Sequence, residues 1–200
     1  MTALETALRQ IAIDLADADV SFALVGGLAV SARTEPRFTR DADLAVAVAN
    51  DAEAEALMRA LRARGYAIHT LVEQDAAGRL ATVRLTRSPE TFGPVIDLLF
   101  ASSGIEPEIV AEADLIELLP TLHIGIATTG HLIALKVLSR DDVARPQDRS
   151  DLRSLFRVAS AADVTRARAA LALIAHRGYH RGRDLEVELD SLLRSERDPH

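Results

Sequence analysis

The chain has 200 residues, of which 48% are hydrophobic and 26% charged, and its formal net charge is −7. This length and apolar content suit a domain with a buried core and exclude a largely disordered chain. The absence of Cys excludes disulfides, thiolate zinc sites and cysteine nucleophiles, and an aromatic content of 4% argues against rows of stacking rings for RNA. The N-terminal 20 residues carry acidic side chains and no unbroken apolar run, so we expect neither a signal peptide nor a membrane partner and a cytoplasmic location.

Helical and strand-like patterns alternate through the first 126 residues. Apolar residues recur at helical spacing over 2–18, 28–33 and 52–64, with Thr2 and Glu5 as a capping pair. Strands are predicted over 20–25, 42–48, 66–72, 79–86 and 94–100, with a hairpin of 115–118 and 122–126. Helices alone follow over 131–139, 148–159, 162–176 and 184–194, separated by Pro146 and Gly178 as breakers. We therefore predict an α/β (α+β) fold, with a mixed-sheet core in residues 1–126 and a C-terminal helical region in residues 127–200.

Asp41 and Asp43 lie two positions apart at the start of a predicted strand. Because strand side chains alternate between two faces, both carboxylates point to the same side. Two carboxylates this close repel each other, and a divalent cation removes the repulsion. Oxygen ligands and the lack of Cys favour Mg²⁺ or Mn²⁺. The alternative is that D-x-D only marks the start of a strand.

The glycine pair Gly26-Gly27 separates the predicted strand 20–25 from the helix 28–33. Glycine lets backbone N–H groups approach a phosphate closely, and a helix N-terminus attracts negative charge. Ser31, one turn into the helix, either offers a hydroxyl to a nucleotide or packs within the fold. Neither a Walker lysine nor a GxGxxG pattern follows, which excludes a P-loop and a dinucleotide fold. The structural alternative for the glycines is a tight strand-to-helix turn.

Asp97 interrupts the apolar run of the predicted strand 94–100. A carboxylate in a central strand is seldom left unpaired, because burying an isolated charge is unfavourable. Either it forms a salt bridge with a neighbouring Arg, or it faces the metals of Asp41 and Asp43 from an adjacent strand. The second alternative places three carboxylates around two cations, which is the arrangement of two-metal phosphoryl transfer.

In combination these motifs resemble the polymerase-β-like nucleotidyltransferase superfamily. The run ALVGGLAVSARTEPRFTRDADLAV is similar to its strand–Gly-Gly–helix and D-x-D signature, and PVIDLLF is similar to the strand that supplies its third Asp. The downstream segments HLIALKVLSRDDVARPQDRSDLRSLF and RGYHRGRDL resemble the AbiEii/AbiGii-type toxin nucleotidyltransferases. The resemblance covers most of the chain in the expected order, and departs from the superfamily where Gly26-Gly27 replaces the frequent Gly-Ser.

The resemblance implies a role for each matching residue. Asp41 and Asp43 would ligate both ions, and Asp97 would complete the metal site and help to deprotonate the attacking hydroxyl. Lys136 would offset the triphosphate charge, the alternative being a lysine that reaches solvent from a helix edge. The other nucleotide-binding candidates are Gly26, Gly27, Ser31, Arg40 (or Arg37 in its place) and Asp151, which matches the family pattern better than Asp148, although both also suit a helix N-terminus.

The implied reaction is transfer of a nucleoside monophosphate from an NTP to an acceptor hydroxyl, with Mg²⁺ as cofactor. By resemblance the acceptor is a tRNA 3′ end, and the setting is a toxin–antitoxin or phage-defence system with a cognate antitoxin; small molecules and protein side chains are alternative acceptors. Arg140, Arg145 and Arg149 either bind an RNA backbone or pair with nearby Asp residues. The competing hypothesis is a catalytically silent relative that binds a nucleotide or a protein. A phosphohydrolase is disfavoured because the His residues lack metal-ligand spacing.

Overall fold

The computed structural model describes residues 2–74, 78–87, 93–141 and 146–197. The helices within these ranges are α1 (Ala3–Ala16), α2 (Gly26–Arg33), α3 (Asp51–Ala63), α4 (Glu106–Ala111), α5 (Thr129–Ser139), α6 (Pro146–Val158), α7 (Ala161–His176) and α8 (Leu185–Arg197). The strands are β1 (Phe22–Val25), β2 (Asp41–Val46), β3 (Tyr66–Gln74), β4 (Arg79–Arg87), β5 (Val95–Leu99), β6 (Asp114–Leu119) and β7 (Leu122–Ile126).

These strands form one mixed sheet in the order β3-β4-β5-β2-β1-β7-β6. At its centre β2 runs antiparallel to β1 and parallel to β5. The predicted hairpin is confirmed as the antiparallel pair β6 and β7. The sheet therefore confirms the predicted mixed α/β fold, and it places the strands of the three candidate carboxylates side by side.

The start of α1 follows the predicted capping pair. The Thr2 hydroxyl accepts a hydrogen bond from the Glu5 backbone N–H, and the Glu5 carboxylate accepts one from the Thr2 N–H. Two of the N–H groups that a helix start leaves without partners are thereby satisfied. Leu8, Ile11 and Leu15 follow at helical spacing and are buried in the core, so α1 is fixed by its cap and by its apolar face.

The bounds of several elements differ from the sequence expectation by up to three residues, and one helix was not predicted. The second helix begins at Gly26, two residues earlier than predicted, because Gly26 has φ +64° and turns the chain from β1 into α2 without a loop. Helix α4, Glu106–Ala111, was not predicted, since six residues are too few to show helical periodicity. Its first turn is held by the buried Glu106 carboxylate, which accepts hydrogen bonds from the backbone N–H and hydroxyl of Ser103.

The C-terminal helices are arranged around α5, which packs against α2, α6, α7 and α8. A close approach of α5 to α7 requires Gly130, since a Cβ there would lie 2.6 Å from the Asp163 carbonyl oxygen. Buried residues of these helices belong to the same apolar core as the sheet, while the division of the chain at residue 126 stays a prediction. No helix within the described ranges combines the length and the apolar character needed to cross a membrane.

Candidate active site

Three carboxylates meet at the centre of the sheet. Asp41 and Asp43 alternate with the buried Ala42 on β2, and Asp97 lies opposite Asp43 in the parallel register of β2 and β5. Neighbouring strands lie about 4.8 Å apart, so residues in register share one face. All three carboxylates line a cavity of about 510 Å³, a volume within the usual range of ligand pockets.

Arg84 adds a cation that sequence analysis missed. It lies on β4 opposite Asp97, and its Nε and Nη2 donate hydrogen bonds to the two Asp97 oxygens at 2.9 and 2.7 Å. The hydrogen bonds to Asp97 and the charges of Asp41 and Asp43 raise the pKa of Arg84. The salt bridge predicted as one alternative for Asp97 is therefore present, and the same carboxylate also lies beside Asp43; its role as a metal ligand stays a prediction.

The negative charges of Asp41, Asp43 and Asp97 are only partly offset by the neighbouring cations. Burial and the charges of Asp97 and Asp41 raise the pKa of Asp43 to about 6, against the opposing effects of Lys136 and the Gly27 N–H. In the described part of the chain, no three His, Asp or Glu side chains form a group that could hold a metal ion as they stand. The carboxylate oxygens of Asp41 and Asp43 suit a hard divalent cation, whereas Asp97 is held at both oxygens by Arg84.

The glycine turn is shaped by what lies against it. A Cβ on Gly26 would come within 1.9 Å of Asp43 Oδ2, and one on Gly27 within 2.6 Å of Arg37 Nη2. Both glycines line the cavity, and the Gly27 N–H acts to lower the pKa of Asp43. The turn therefore lets a carboxylate and a guanidinium approach the start of α2, while the predicted contact of the glycines with a phosphate stays a prediction.

A buried ion network forms the next part of the cavity wall. Lys136 Nζ on α5 lies 2.6 Å from Asp148 Oδ1 and 2.8 Å from Asp151 Oδ2, both on α6. Arg37 Nη2 donates a hydrogen bond to Asp151 Oδ2 at 2.8 Å. The Lys136 side chain is only 12% exposed, which rules out the alternative of a lysine reaching solvent. The network fixes Lys136 and Arg37 beside the glycine turn.

Three of the predicted nucleotide ligands lie elsewhere. The Ser31 hydroxyl donates to the Gly27 carbonyl and accepts from the Arg37 N–H, so it holds the turn together rather than facing the cavity. Asp151 is buried behind the cavity wall and acts through Lys136 and Arg37. Arg40 does not line this cavity; of the two arginines considered, the one that does is Arg37.

Replacing Lys136 by Met should destabilise the protein by about 3–5 kcal/mol, because Asp148 and Asp151 are buried and would lose a cationic partner. Urea unfolding of both proteins measures the change in the free energy of unfolding. In the double variant Lys136→Met, Asp148→Leu the unpaired charge is also removed, and much of the loss should be recovered. A change below about 1 kcal/mol for Lys136→Met would contradict the buried ion network.

The cavity is also lined by Ser102 and Ser103, which follow β5, and by Arg181, which lies between α7 and α8. No motif indicated the two serines, because they belong to a loop that only the fold brings to the site. Arg181 lies in the segment RGYHRGRDL that resembles the toxin family. Of the arginine cluster, Arg145 lies outside the described residues, and Arg149 is exposed on α6.

Comparison with known proteins relates both the sequence and the fold to nucleotidyltransferases. An antigenic nucleotidyltransferase-like protein from Paracoccidioides brasiliensis is 16% identical, with a TM-score of 0.54 over 94% of this chain and 92% of that chain. JHP933 from Helicobacter pylori is 16% identical, with a TM-score of 0.48 over 97% and 89% of the two chains. The search of curated proteins found no match.

The likeness to the Paracoccidioides protein shows a shared fold. The family profile described as nucleotidyl transferase AbiEii toxin, type IV toxin–antitoxin system, matches residues 7–200. Because this match spans nearly the whole chain, the protein belongs to the AbiEii nucleotidyltransferase toxin family.

Proposed function

We propose that the protein transfers a nucleoside monophosphate from an NTP to an acceptor hydroxyl by a two-metal mechanism at Asp41, Asp43 and Asp97. The observation that carries the proposal is the meeting of these carboxylates on one face of β2 and β5, beside the glycine turn of α2. When bound, two Mg²⁺ ions (or Mn²⁺) would draw charge from the reacting phosphate and lower the pKa of the attacking hydroxyl.

The side chains around the carboxylates supply the remaining requirements of the reaction. Gly26 and Gly27 at the start of α2 line the cavity, and N–H groups at a helix N-terminus can donate to phosphate oxygens. Arg37 and Lys136 place positive charge beside them. The acceptor oxygen forms a bond to the α-phosphorus as the bond to the bridging oxygen breaks and pyrophosphate leaves. Asp97 takes the proton of the hydroxyl.

For the acceptor we propose the 3′ end of a tRNA, and for the biological role a cytoplasmic toxin controlled by a cognate antitoxin. The family description, a toxin of a type IV toxin–antitoxin system, supports the role. Because the net charge of −7 disfavours a broad RNA-binding surface, we expect the protein to contact the RNA mainly at its reacting end. A catalytically silent nucleotide-binding relative is the competing function.

The test is incubation with each α-labelled NTP and Mg²⁺ in the presence of tRNA, total RNA or cell extract. We expect label in the tRNA, released pyrophosphate, and no reaction in EDTA. Label in a protein or small-molecule fraction would support nucleotidyl transfer but contradict tRNA as the acceptor. Nucleotide binding without transfer to any fraction would favour the silent relative.

Lys136 allows a direct test of triphosphate binding, because it is the only Lys of the chain. A periodate-oxidised NTP forms an imine with a nearby amine, which borohydride reduces to a stable adduct. Peptide mapping should find the adduct on Lys136, and excess unmodified NTP should prevent it. Labelling confined to the N-terminal amine would contradict the placement of the nucleotide.

Metal affinity should fall about tenfold between pH 7 and pH 5, because the cation must displace a proton from Asp43, whose pKa burial and Asp97 raise to about 6. In the metal-free protein the raised pKa of Asp43 also makes the free energy of unfolding depend on pH. The unfolded carboxyl loses its proton near its ordinary pKa of 3.8, so the free energy of unfolding declines as pH rises from about 4 to 6. Titration with Mn²⁺ followed by electron paramagnetic resonance measures the first effect. A pH-independent affinity would contradict Asp43 as a ligand.

A further inference from the structure

Phe38 is the most exposed of the large apolar side chains in the described ranges, with 80% of its surface accessible. It lies in the segment between α2 and β2, three positions before Asp41. An exposed phenyl ring lacks the stabilisation that burial of its apolar surface would provide. Its position next to the carboxylates therefore indicates a ring that is covered when substrate is present.

Arg40 lies over this ring rather than at the cavity of the carboxylates. Its guanidinium carbon is 5.6 Å from the centroid of Phe38, within the range of a cation–π interaction. The guanidinium covers part of the ring and the high exposure leaves the rest accessible to a ligand. A flat aromatic ligand can therefore stack on Phe38 while the Arg40 N–H groups remain available to its polar edge.

A second cavity, of about 630 Å³, extends from Phe38 beneath the start of β2. Its apolar wall comes from α1, α2 and β6, through Leu4, Leu8, Leu28, Leu118 and Leu119. Arg37, Thr39 and Asp41 line both this cavity and that of the carboxylates. A ligand that reacts at the carboxylates can therefore continue into the second cavity.

We propose that Phe38 and Arg40 form a stacking platform for a nucleobase of the substrates. This inference rests on the proposed nucleotidyl transfer, and it adds a base-binding subsite to the phosphate and metal positions. Three residues span at most about 10 Å, so the ring lies within reach of the base of a nucleotide whose phosphate is at Asp41.

A nucleobase fits these residues better than an apolar protein segment does. A base has a π face that can stack on the ring and hydrogen-bond acceptors for a guanidinium. An aliphatic side chain can only contact the ring. One ring suits a single base, in agreement with the 4% aromatic content. The base comes either from the NTP or from a nucleotide acceptor, and both sources have the same stacking chemistry.

The absence of Trp from the chain makes the platform directly measurable. In Phe38→Trp the only indole lies at the platform, and stacking of a base should quench its emission. We expect saturable quenching by nucleoside monophosphates or by a short single-stranded RNA, and none by ribose 5-phosphate. Val187→Trp, at an exposed position of α8, controls for collisional quenching. These titrations need no catalysis, so they test the platform even if transfer is never detected.

Transfer kinetics then separate the two sources of the base. Phe38→Leu keeps an apolar side chain but lacks the π face, and should raise KM about 5- to 150-fold for whichever substrate supplies the base. Phe38→Tyr should restore the wild-type value. A raised KM for the NTP identifies the donor base, and a raised KM for RNA identifies the acceptor base. Equal responses of Phe38→Trp and Val187→Trp to every base would overturn the inference and leave Phe38 as a contact for a protein partner.

Discussion

Asp43→Asn should lower nucleotide transfer by about 10³-fold or more while the protein stays folded. The variant removes one of the carboxylates proposed to hold the metal ions that offset charge on the reacting phosphate. Stability should respond in the opposite direction. In the metal-free wild type, ionised Asp43 is disfavoured by burial and by Asp97. Removing its charge should therefore stabilise the fold by up to about 3 kcal/mol above pH 7, and by little near pH 4.

The measurement combines labelled-NTP transfer with thermal unfolding at pH 4 and pH 8. Asp114→Asn is the matched control: Asp114 pairs with Arg33 at the surface of β6 and does not line the cavity. Its loss should leave transfer unchanged and alter stability by no more than about 1 kcal/mol. Wild-type transfer in Asp43→Asn would remove the carboxylate pair from the mechanism.

Gly26→Ala should lower transfer by about 100-fold or more, through displacement of a carboxylate rather than through unfolding. The new Cβ would lie 1.9 Å from Asp43 Oδ2, so the carboxylate or the turn must move. A shift of about 1 Å at a reacting centre is sufficient for an effect of this size. The positive φ of Gly26 adds a strain of about 1–2 kcal/mol.

Gly65→Ala separates these two contributions. Gly65 also has a positive φ, of +90°, but a Cβ there meets nothing within 4 Å. Both variants should therefore lose stability in urea unfolding, and only Gly26→Ala should lose transfer and metal affinity. Equal activities of the two variants would show that the glycine turn tolerates a side chain against Asp43.

The placement of the three candidate carboxylates was predictable from the sequence because it depends on local patterns. Alternation on one strand places Asp41 and Asp43 on the same face, and an apolar run interrupted by Asp97 identifies a buried carboxylate. Which strands are neighbours depends on pairing between segments that are far apart in the sequence. The sequence therefore left two alternatives for Asp97. The register of β5 with its two neighbours shows that Arg84 of β4 pairs with Asp97, and that β2 brings Asp43 beside it.

The sequence left open those assignments in which a side chain had a choice of partners. Arg37 and Arg40 lie four and one positions before Asp41, on either side of Phe38, and only the folded segment shows that Arg37 joins the ion network while Arg40 lies over the ring. Of the two alternatives for Ser31, the structure shows its hydroxyl bonded within the turn. The short α4 shows a different limit, since its buried Glu106 is stabilised by Ser103 in a loop and not by an apolar periodicity.

In the proposed two-metal mechanism, the ion pair of Arg84 and Asp97 would make β4 influence metal affinity without contributing a ligand. A cation bound by Asp97 would first have to displace at least one of its two hydrogen bonds to Arg84, so the measured affinity would be the intrinsic affinity diminished by the free energy of that exchange. Substitution of Arg84, on a strand that lies inside the sheet, would then shift the metal concentration needed for transfer, while the carboxylates themselves stay unchanged. The response to metal supply would in that case depend on a residue that does not contact the ion.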